Sequence, residues 1–441
     1  MKAMLKTALA LGCLAFAAAT HAAEPFKIGL ILPMSGPFAS TGKQIDAAVR
    51  LYMKQHGDVV AGRKIQVILK DDGGVQPELT KRQAQELVVK ERVDVLAGFG
   101  LTPLAFAAAP VATQAKVPMV VMAASTSSIV SKSPYIVRTS MTEAQVTTPM
   151  AEWAAKDPKG RMKTMVTLVS DFGPGIDSEK AFVKRYTDAG GKVLESIRIP
   201  KDNPDFSPFM QRVKDLKPDG LFVFLPTNQG VTLMKQFRER KLRDAGIQLT
   251  STGGLLDDDL LPSMGDEALG VVTSGHYSAA HDSPENKAYV AGFRKLTNNS
   301  MRPDLMSVGG YDGMHLIYTA LQKAGPNATG NQLLEAMKGQ AWVSPRGPVR
   351  IDAATRDIVQ NVYLRRAEKI GNEIYNIEFA KVENVKDPGT VLGTFTTIPR
   401  AGRPGFRRAC DRRNSPAGRF AYRRSYCLLA DLRASVSCQA L

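Results

Sequence analysis

The sequence predicts an α/β fold built from two doubly wound parallel-sheet lobes that three crossings of the chain join. Short apolar strands alternate with amphipathic helices from about residue 26 to residue 138, and the same alternation restarts near residue 165. Repeated strand–helix units imply parallel strands with right-handed crossovers and helices on both faces of the sheet. A length of 441 residues also exceeds what one ordinary core holds, so two domains are expected.

The first strand–helix series accounts for the first lobe. Its predicted strands are Phe26–Ile31, Lys64–Lys70, Val93–Ala97, Pro118–Val121 and Tyr135–Arg138, with helices near 41–56, 77–91 and 103–115. The apolar stretch 101–124 lies within this series, and Pro103, Pro110 and Pro118 interrupt it. We therefore interpret that stretch as a buried helix followed by a buried strand and not as a membrane span.

The second series accounts for the other lobe. Its predicted strands are Met165–Ser170, Lys192–Ile199, Gly220–Phe224, Ile247–Ser251 and Val271–Ser274, with helices near 143–156, 176–189, 206–216 and 228–241. Further helices are predicted near 284–297, 310–324 and 331–338, and a hairpin turns around Gly371-Asn372. This late return of helices suggests crossings near residues 140, 274 and 342. The first lobe would then hold 24–140 plus 274–341, and the second 141–273 plus 342–388.

The N-terminus has the pattern of an export signal over residues 1–23. Lys2 and Lys6 precede an apolar run from Thr7 to Ala19, which is too short to span a bilayer. Small residues near Ala22 predict cleavage after Ala22 or Ala23. A lipoprotein anchored at Cys13 is the alternative, but Ala10 stands where lipoprotein signals favour Leu.

The C-terminal segment 389–441 differs in composition from the rest of the chain. From residue 400 onward it has ten Arg, no Lys and two acids, and it holds three of the four Cys. It therefore carries half of the formal net charge of +16, and the body between signal and tail carries only about +6. The composition favours a shifted reading frame over a native basic arm, and it predicts disorder. The mixed charge of the body argues against a nucleic-acid partner, and its lack of Cys fits an exported protein without disulfides.

The stretch KIGLILPMSGPFASTG, residues 27–42, places a loop of small residues between a strand and a helix. Open α/β sheets bind ligands at such loops, where free backbone N–H groups meet the ligand. In an exported chain this loop suggests capture of a solute outside the cytoplasm. We expect Thr41 to lie on the wall of the site.

Five stretches in order carry a resemblance to a known family: KIGLILPMSGPFASTGKQ, KDDGGVQPE, VVMAASTSSIV, SPYIVRTSMT and VSDFGPG. Together they resemble the leucine/isoleucine/valine-binding family of periplasmic solute-binding proteins, over roughly residues 25–388. The resemblance implies a type I periplasmic-binding-protein-like fold whose two lobes close over a ligand. It also implies a periplasmic monomer that presents the ligand to an ABC permease in the inner membrane.

Candidate binding residues on the first lobe follow its strands. Ala123, Ala124, Ser125 and Thr126 follow the fourth predicted strand, and Gly100 and Thr102 follow the third. Small residues let the backbone approach a ligand, and hydroxyls add donors for a carboxylate. Ser125 and Thr102 would equally suit helix caps. The resemblance implies that the loop at Ser125 holds the ligand carboxylate.

On the second lobe, Phe172 follows a strand and would either stack on the ligand or pack under its loop. Thr227 and Asn228 could offer polar contacts, and Tyr277 and Tyr311 could add rings, although Tyr311 suits a core or hinge position equally well.

The loop 251–256, STGGLL, which includes Gly254, has no acid, and Asp257–Asp259 are expected to begin a helix instead. The resemblance implies that amino-acid binders place an acid in this loop to pair with the ligand ammonium. An aromatic or other non-amino carboxylic acid is therefore favoured, and a branched-chain or other amino acid is the alternative.

Other classes of protein fit the sequence less well. His56, His276, His281 and His315 have no metal-binding spacing, and the body lacks a Cys nucleophile, a G-x-S-x-G elbow and a phosphate-binding G-x-x-x-x-G-K-[ST] loop. We therefore expect no catalysis, no metal and no cofactor. A periplasmic ligand sensor is the remaining alternative, less favoured because no membrane segment follows the signal.

Overall fold

The structure is a computed structural model, which describes residues 24–157, 161–201 and 205–389. The predicted export signal with its Cys13 alternative, and the predicted tail beyond residue 389, lie outside the described residues.

A six-stranded sheet forms the N-terminal part of the fold. Its strands are β1 (Phe26–Leu32), β2 (Val59–Val60), β3 (Arg63–Asp71), β4 (Val95–Gly98), β5 (Met119–Val121) and β6 (Ile136–Arg138). They lie in the order β2-β3-β1-β4-β5-β6, and every pair except β2–β3 is parallel. Three helices connect them: α1 (Ala39–His56), α2 (Pro77–Val89) and α3 (Thr102–Ala115). Because the order reverses beside β1, the loops after β1 and β4 meet at one edge, where such sheets bind ligands.

A nine-stranded sheet forms the second part. Its strands are β7 (Thr164–Ser170), β8 (Lys192–Ile199), β9 (Gly220–Phe224), β10 (Gln248–Thr252), β11 (Val272–Gly275), β12 (Ala341–Ser344), β13 (Gly347–Ile351), β14 (Ile358–Ile370) and β15 (Glu373–Val385). The order is β12-β13-β14-β11-β10-β9-β7-β8, and β15 pairs with β14. The strands β7 to β11 pair in parallel, whereas β11 to β15 pair antiparallel.

Helices cover both faces of the second sheet. They are α4 (Glu143–Ala155), α5 (Gly173–Asp188), α6 (Ser207–Leu216), α7 (Gly230–Glu239) and the short α8 (Leu261–Met264). Phe182 of α5 stacks on Phe222 of β9 with ring centroids 4.1 Å apart, which fixes α5 on one face. Met210 of α6 and Phe237 of α7 belong to the apolar cluster on the other face.

Three helices between β11 and β12 return to the first sheet. They are α9 (Pro284–Leu296), α10 (Leu305–Ala324) and α11 (Gly330–Met337). Leu321 of α10 and Leu333 of α11 share one buried cluster with Ile28 of β1 and Ile45 of α1. The chain therefore passes from the first sheet to the second after β6, returns after β11 and passes back at β12.

These elements confirm the predicted fold class of two sheets of mostly parallel strands with helices on both faces. The predicted hairpin is also present, since β14 and β15 pair antiparallel around Gly371. The strands β2, β12 and β13 were not predicted. β2 and β12 are short and lie at sheet edges, and β13 has only five residues, one of them Pro348. Of the helices in the described part of the chain, none combines the length and the hydropathy that a bilayer span requires. The stretch 101–124 holds α3 and β5, as predicted.

Candidate ligand site between the two sheets

A cavity of about 60 Å³ lies where the loops at the carboxyl ends of both sheets meet. We call it the main cavity. Its lining includes nine of the thirteen predicted site residues: Thr41, Gly100, Thr102, Ala123, Ala124, Ser125, Phe172, Thr227 and Gly254.

The first-sheet wall of the main cavity combines small and hydroxyl-bearing residues with Phe38 and Leu101. Gly98 ends β4 with φ +104°, and a Cβ there would lie 2.3 Å from the backbone oxygen of Ile31, so glycine allows β4 to lie tightly against β1. Beyond this tight turn, the Thr102 hydroxyl lies at the N-terminus of α3 and shares a hydrogen bond of 2.9 Å with Thr126. Ser125 lies on the neighbouring loop and is 7% exposed. Hydroxyls beside a helix N-terminus favour an anion at this wall.

The second-sheet wall of the main cavity is largely apolar. The rings of Phe172 and Phe224 lie 6.1 Å apart at an angle of 37°. Phe172 therefore packs on Phe224 and also borders the cavity, so the two roles considered for it are compatible. Thr227 and Gly254 continue this wall, and their loops are so close that a Cβ on Gly254 would lie 3.4 Å from the Thr227 methyl group.

Four predicted site residues do not line the main cavity. Thr126 uses its hydroxyl on Thr102, as described above, and Asn228 is exposed. Tyr277 is fully buried, with its ring against Tyr289 at a centroid distance of 6.2 Å. Tyr311 lies on α10 and donates a hydrogen bond of 2.7 Å to Gln55 of α1.

Sequence reasoning missed Glu143, the first residue of α4, which lines the main cavity. Glu143 is 4% exposed, and its Oε2 has no hydrogen-bond partner among the described residues. Burial raises the pKa of Glu143 to about 8, hydrogen bonds with Thr252 and Ser125 oppose the rise, and the nearby charge of Asp177 adds to it. Its sequence signal is ambiguous, because an acid after the capping Thr142 is also what a helix N-terminus favours.

The loop 251–256 has no acid, but the site receives one from another element, because Glu143 of α4 lines the main cavity. The expectation for the later acids is wrong, since α8 begins only at Leu261. Asp258 accepts a hydrogen bond of 3.2 Å from Asn376, and Asp259 accepts one of 2.7 Å from the backbone N–H of Arg302. These tertiary partners, and not a helix dipole, explain why acids occur at positions 258 and 259.

A smaller cavity of about 10 Å³ adjoins the main cavity at Glu143. We call it the side cavity, and His276 and Arg365 contribute its other ionisable side chains. Burial lowers the pKa of His276 well below its usual range, and the charges of Arg346 and Arg365 act in the same direction, so this ring is neutral. Arg365 donates to the hydroxyl of Thr273 at 3.1 Å.

The two sets of loops touch beside the main cavity. The backbone N–H of Ser127 donates a hydrogen bond of 2.9 Å to Asp177 of α5. Gly173, at the start of α5, lies so close to Thr126 that a Cβ on it would be 2.6 Å from the Thr126 hydroxyl oxygen. Both contacts join first-sheet loops to α5, so they require the two sides to be together. Within the described residues, no group of three or more His, Cys, Asp or Glu is placed to hold a metal ion.

Comparison with known proteins gives a family model and close relatives. A model described as "Periplasmic binding protein" matches residues 25–372. The chain is 47% identical over 391 residues to a Leu/Ile/Val-binding protein homolog 6 of Brucella suis biovar 1 (strain 1330), covering 88% of this chain and 99% of that protein.

Two solved structures are also similar over most of the chain. One is a solute-binding protein of an ABC transporter from Rhodopseudomonas palustris BisB5 in complex with 3,4-dihydroxybenzoic acid. It is 57% identical with a TM-score of 0.80, covering 83% of this chain and 99% of that one. The other, from Rhodopseudomonas palustris HaA2 in complex with p-hydroxybenzoic acid, is 42% identical with a TM-score of 0.80 and the same coverage.

Proposed function

The chain belongs to the periplasmic binding protein family, and we propose that it captures a small aromatic carboxylate for an ABC permease in the inner membrane. Membership confirms the resemblance stated from the motifs. The family is periplasmic and binds solutes, and the similar solved proteins are parts of ABC transporters.

The observation that carries the proposal is that the main cavity combines hydrogen-bond donors with aromatic rings. Ser125, Thr102 and the N-terminus of α3 offer hydrogen-bond donors on one side, and Phe172 and Phe224 offer ring surfaces on the other. A flat ring with one carboxylate is complementary to both walls at once, because charge-assisted hydrogen bonds hold the carboxylate while aromatic contacts hold the ring. The two similar proteins with hydroxybenzoates in their structures support the same ligand class.

An α-amino acid is the second candidate, and Glu143 is the observation in its favour. Its carboxyl could pair with a ligand ammonium, and the Brucella relative is named for leucine, isoleucine and valine. With a pKa of about 8, however, Glu143 is mostly neutral at pH 7, so such a ligand would first have to ionise a buried acid. A neutral ring needs no such ionisation, and an aromatic acid is therefore the better fit.

We further propose that residues 24–140 plus 274–341 and residues 141–273 plus 342–388 act as two lobes that close on the ligand. The packing of α10 and α11 against the first sheet supports this division. The Ser127–Asp177 and Gly173–Thr126 contacts would form only in the closed state, where the two lobes meet. The protein would act as an exported monomer that binds its ligand without chemical change; a ligand sensor and an enzyme are the rival classes.

Calorimetry with a panel of ligands tests the proposal. The panel contains benzoate, 4-hydroxybenzoate, 3,4-dihydroxybenzoate, cinnamate, a medium-chain fatty acid and leucine. We expect the benzoates to bind most tightly, whereas binding of leucine alone would refute the proposal in favour of the amino-acid alternative. Mass spectrometry after a long incubation should recover the bound compound unaltered, and a new product would indicate an enzyme.

Substitution of Ser125 tests where the carboxylate binds. Ser125→Ala should weaken binding of the best benzoate by about 1–3 kcal/mol, because it removes a charge-assisted hydrogen bond. Ser128→Ala is the matched control, since Ser128 is exposed on the neighbouring turn and does not line the main cavity. Equal affinity of both variants and the wild type would place the carboxylate elsewhere.

A further inference from the structure

The main cavity suits an anion, yet among its described lining residues none is Lys, Arg or His. Glu143 is the one residue of that lining with an ionisable side chain. An ionised Glu143 would place a second negative charge beside the ligand carboxylate with no cation in the lining to offset it. Two like charges in a buried site are strongly unfavourable, and one of the groups then keeps a proton.

The position of the Glu143 side chain makes this conflict direct. The hydroxyl of Thr252 at the end of β10 and that of Ser125, which is proposed to hold the ligand carboxylate, lie close enough to lower the pKa of Glu143. Its Oε2 is buried and lacks a partner among the described residues, and the residue lines the main cavity. A neutral carboxyl has one O–H to donate, and a ligand carboxylate at Ser125 is an acceptor within the same wall.

We propose that Glu143 binds the ligand in its neutral form, donating its proton to the ligand carboxylate, so that capture of each anion requires one proton on this side chain. The inference rests on the proposed function, because it assumes a carboxylate in the main cavity. It assigns Glu143 a role in specificity: it admits an anion while protonated and excludes that anion when ionised.

Charged and titratable groups around Glu143 do not supply the missing positive charge in the main cavity. Four elements pack against α4: α5, β10, β11 and β14. Asp177 of α5 is an acid and raises the pKa of Glu143, and β10 contributes the hydroxyl of Thr252. His276, which follows β11, is neutral, and Arg365 of β14 borders the side cavity, where it faces Asp258 at 3.7 Å.

Burial, as the largest cause, together with the charge of Asp177 raises the pKa of Glu143 to about 8 in the free protein, and an anion beside it would raise that pKa further. If only the protonated form binds, the apparent Kd is the intrinsic Kd divided by the protonated fraction. The apparent Kd should then rise about tenfold from pH 7 to pH 9. At pH 9 the complex should take up about 0.9 proton per ligand, compared with about 0.1 at pH 7.

Calorimetry with benzoate on the full protein tests the proposal. Benzoate is the probe because its ring has no hydroxyl that titrates in this range. Titrations at pH 7 and pH 9, each in two buffers of different ionisation enthalpy, give the Kd and the number of protons taken up. In Glu143→Gln the ratio of Kd at pH 9 to Kd at pH 7 should fall from about ten to near one, whatever the affinity at pH 7. Glu285→Gln, an exposed acid in the first turn of α9, is the control and should keep the wild-type ratio.

Each outcome decides a separate question. Benzoate binding with no proton uptake at pH 9 in the wild type would overturn the role of Glu143 and leave the proposed function standing. A pH dependence that persists in Glu143→Gln would also overturn it, and would assign the effect to another acid such as Asp304, which caps α10 and has a pKa raised by burial to about 7. If no aromatic carboxylate binds the wild type even at pH 6.5, the proposed function fails and this inference fails with it.

Discussion

Replacing Glu143 with Gln should stabilise the ligand-free protein, and the gain should grow as the pH rises from 5 to 7. The folded protein keeps the proton of Glu143 up to about pH 8, because burial raises the pKa from 4.5. The unfolded chain loses that proton near its ordinary pKa. Between these two values the folded state binds more protons, so the free energy of unfolding falls as the pH rises. A glutamine side chain at this position does not titrate, so the variant escapes this loss.

The size of the effect follows from the two pKa values. Integrating the difference in bound protons from pH 5 to pH 7 gives a loss of about 2–3 kcal/mol for the wild type, at about 1.4 kcal/mol for each unit of pH fully within the window. For a chain of this size, the difference in Tm between Glu143→Gln and the wild type should therefore grow by roughly 3 °C from pH 5 to pH 7. Gln also has nearly the same volume as Glu, so the substitution adds no cavity to the site.

Differential scanning calorimetry and urea unfolding of wild type and Glu143→Gln, at pH 5 and pH 7, measure this difference. Other buried acids, such as Asp304, change the stability of both proteins equally and cancel in the comparison. Glu285→Gln removes an exposed carboxyl and should shift stability by the same small amount at both pH values. A stability difference between wild type and Glu143→Gln that stays constant from pH 5 to pH 7 would refute the claim that Glu143 is neutral in the folded protein.

Three further substitutions test contacts around the site. Gly173→Ala places a methyl group 2.6 Å from the Thr126 hydroxyl oxygen and should weaken ligand binding by about 1–2 kcal/mol, with partial recovery when Thr126→Ala is added, as measured by calorimetry. Asp177→Ala removes the acceptor of the Ser127 N–H and should speed ligand dissociation several-fold in stopped-flow fluorescence; an unchanged rate would exclude this contact from closure. Asp357→Asn leaves the buried guanidinium of Arg138 without its counter-charge and should lower the free energy of unfolding by about 3–5 kcal/mol in urea titrations. Equal unfolding midpoints of the variant and the wild type would contradict this expectation.

The sequence predicted those parts of the site that depend on local order along the chain. Ser125 and Thr102 follow apolar strands directly, and the carboxyl ends of parallel strands meet at one edge, so their convergence follows from the topology. Phe172 and Gly254 follow strands of the second sheet in the same way. The same rule explains why nine predicted residues share one cavity.

The sequence could not predict the contacts that depend on packing between distant segments. Glu143 reaches the main cavity only because α4 begins between the two sheets, and its position in a helix N-terminus has an ordinary local explanation. Tyr311 was considered for a ring contact in the site or for a core or hinge position, and its side chain lies against Tyr52 and Gln55 of α1. Asp258 was assigned to a helix start, and its partner Arg365 lies 107 residues later in the chain.

Positive charge is buried in the framework around the site and not in its lining, and this arrangement explains how an anion can be held without a cation. Arg138 binds Asp357 through two hydrogen bonds of 2.8 and 2.9 Å, and it also donates 2.8 Å to the backbone oxygen of Thr126 in the ligand loop. Arg346 pairs with Asp312 at 2.7 Å and donates to the backbone oxygen of Ser140, just after β6.

Because their carboxylate partners offset these arginines, their main contribution near the cavity is to fix backbone carbonyls in place. The ligand carboxylate is then left to hydroxyls, backbone N–H groups and the N-terminus of α3, all of which are dipoles and act at short range. With short-range donors, the strength of binding depends more on the correct placement of the anion than on its charge alone. In such a lining one additional negative charge has a large effect, which is why the protonation state of Glu143 should govern affinity.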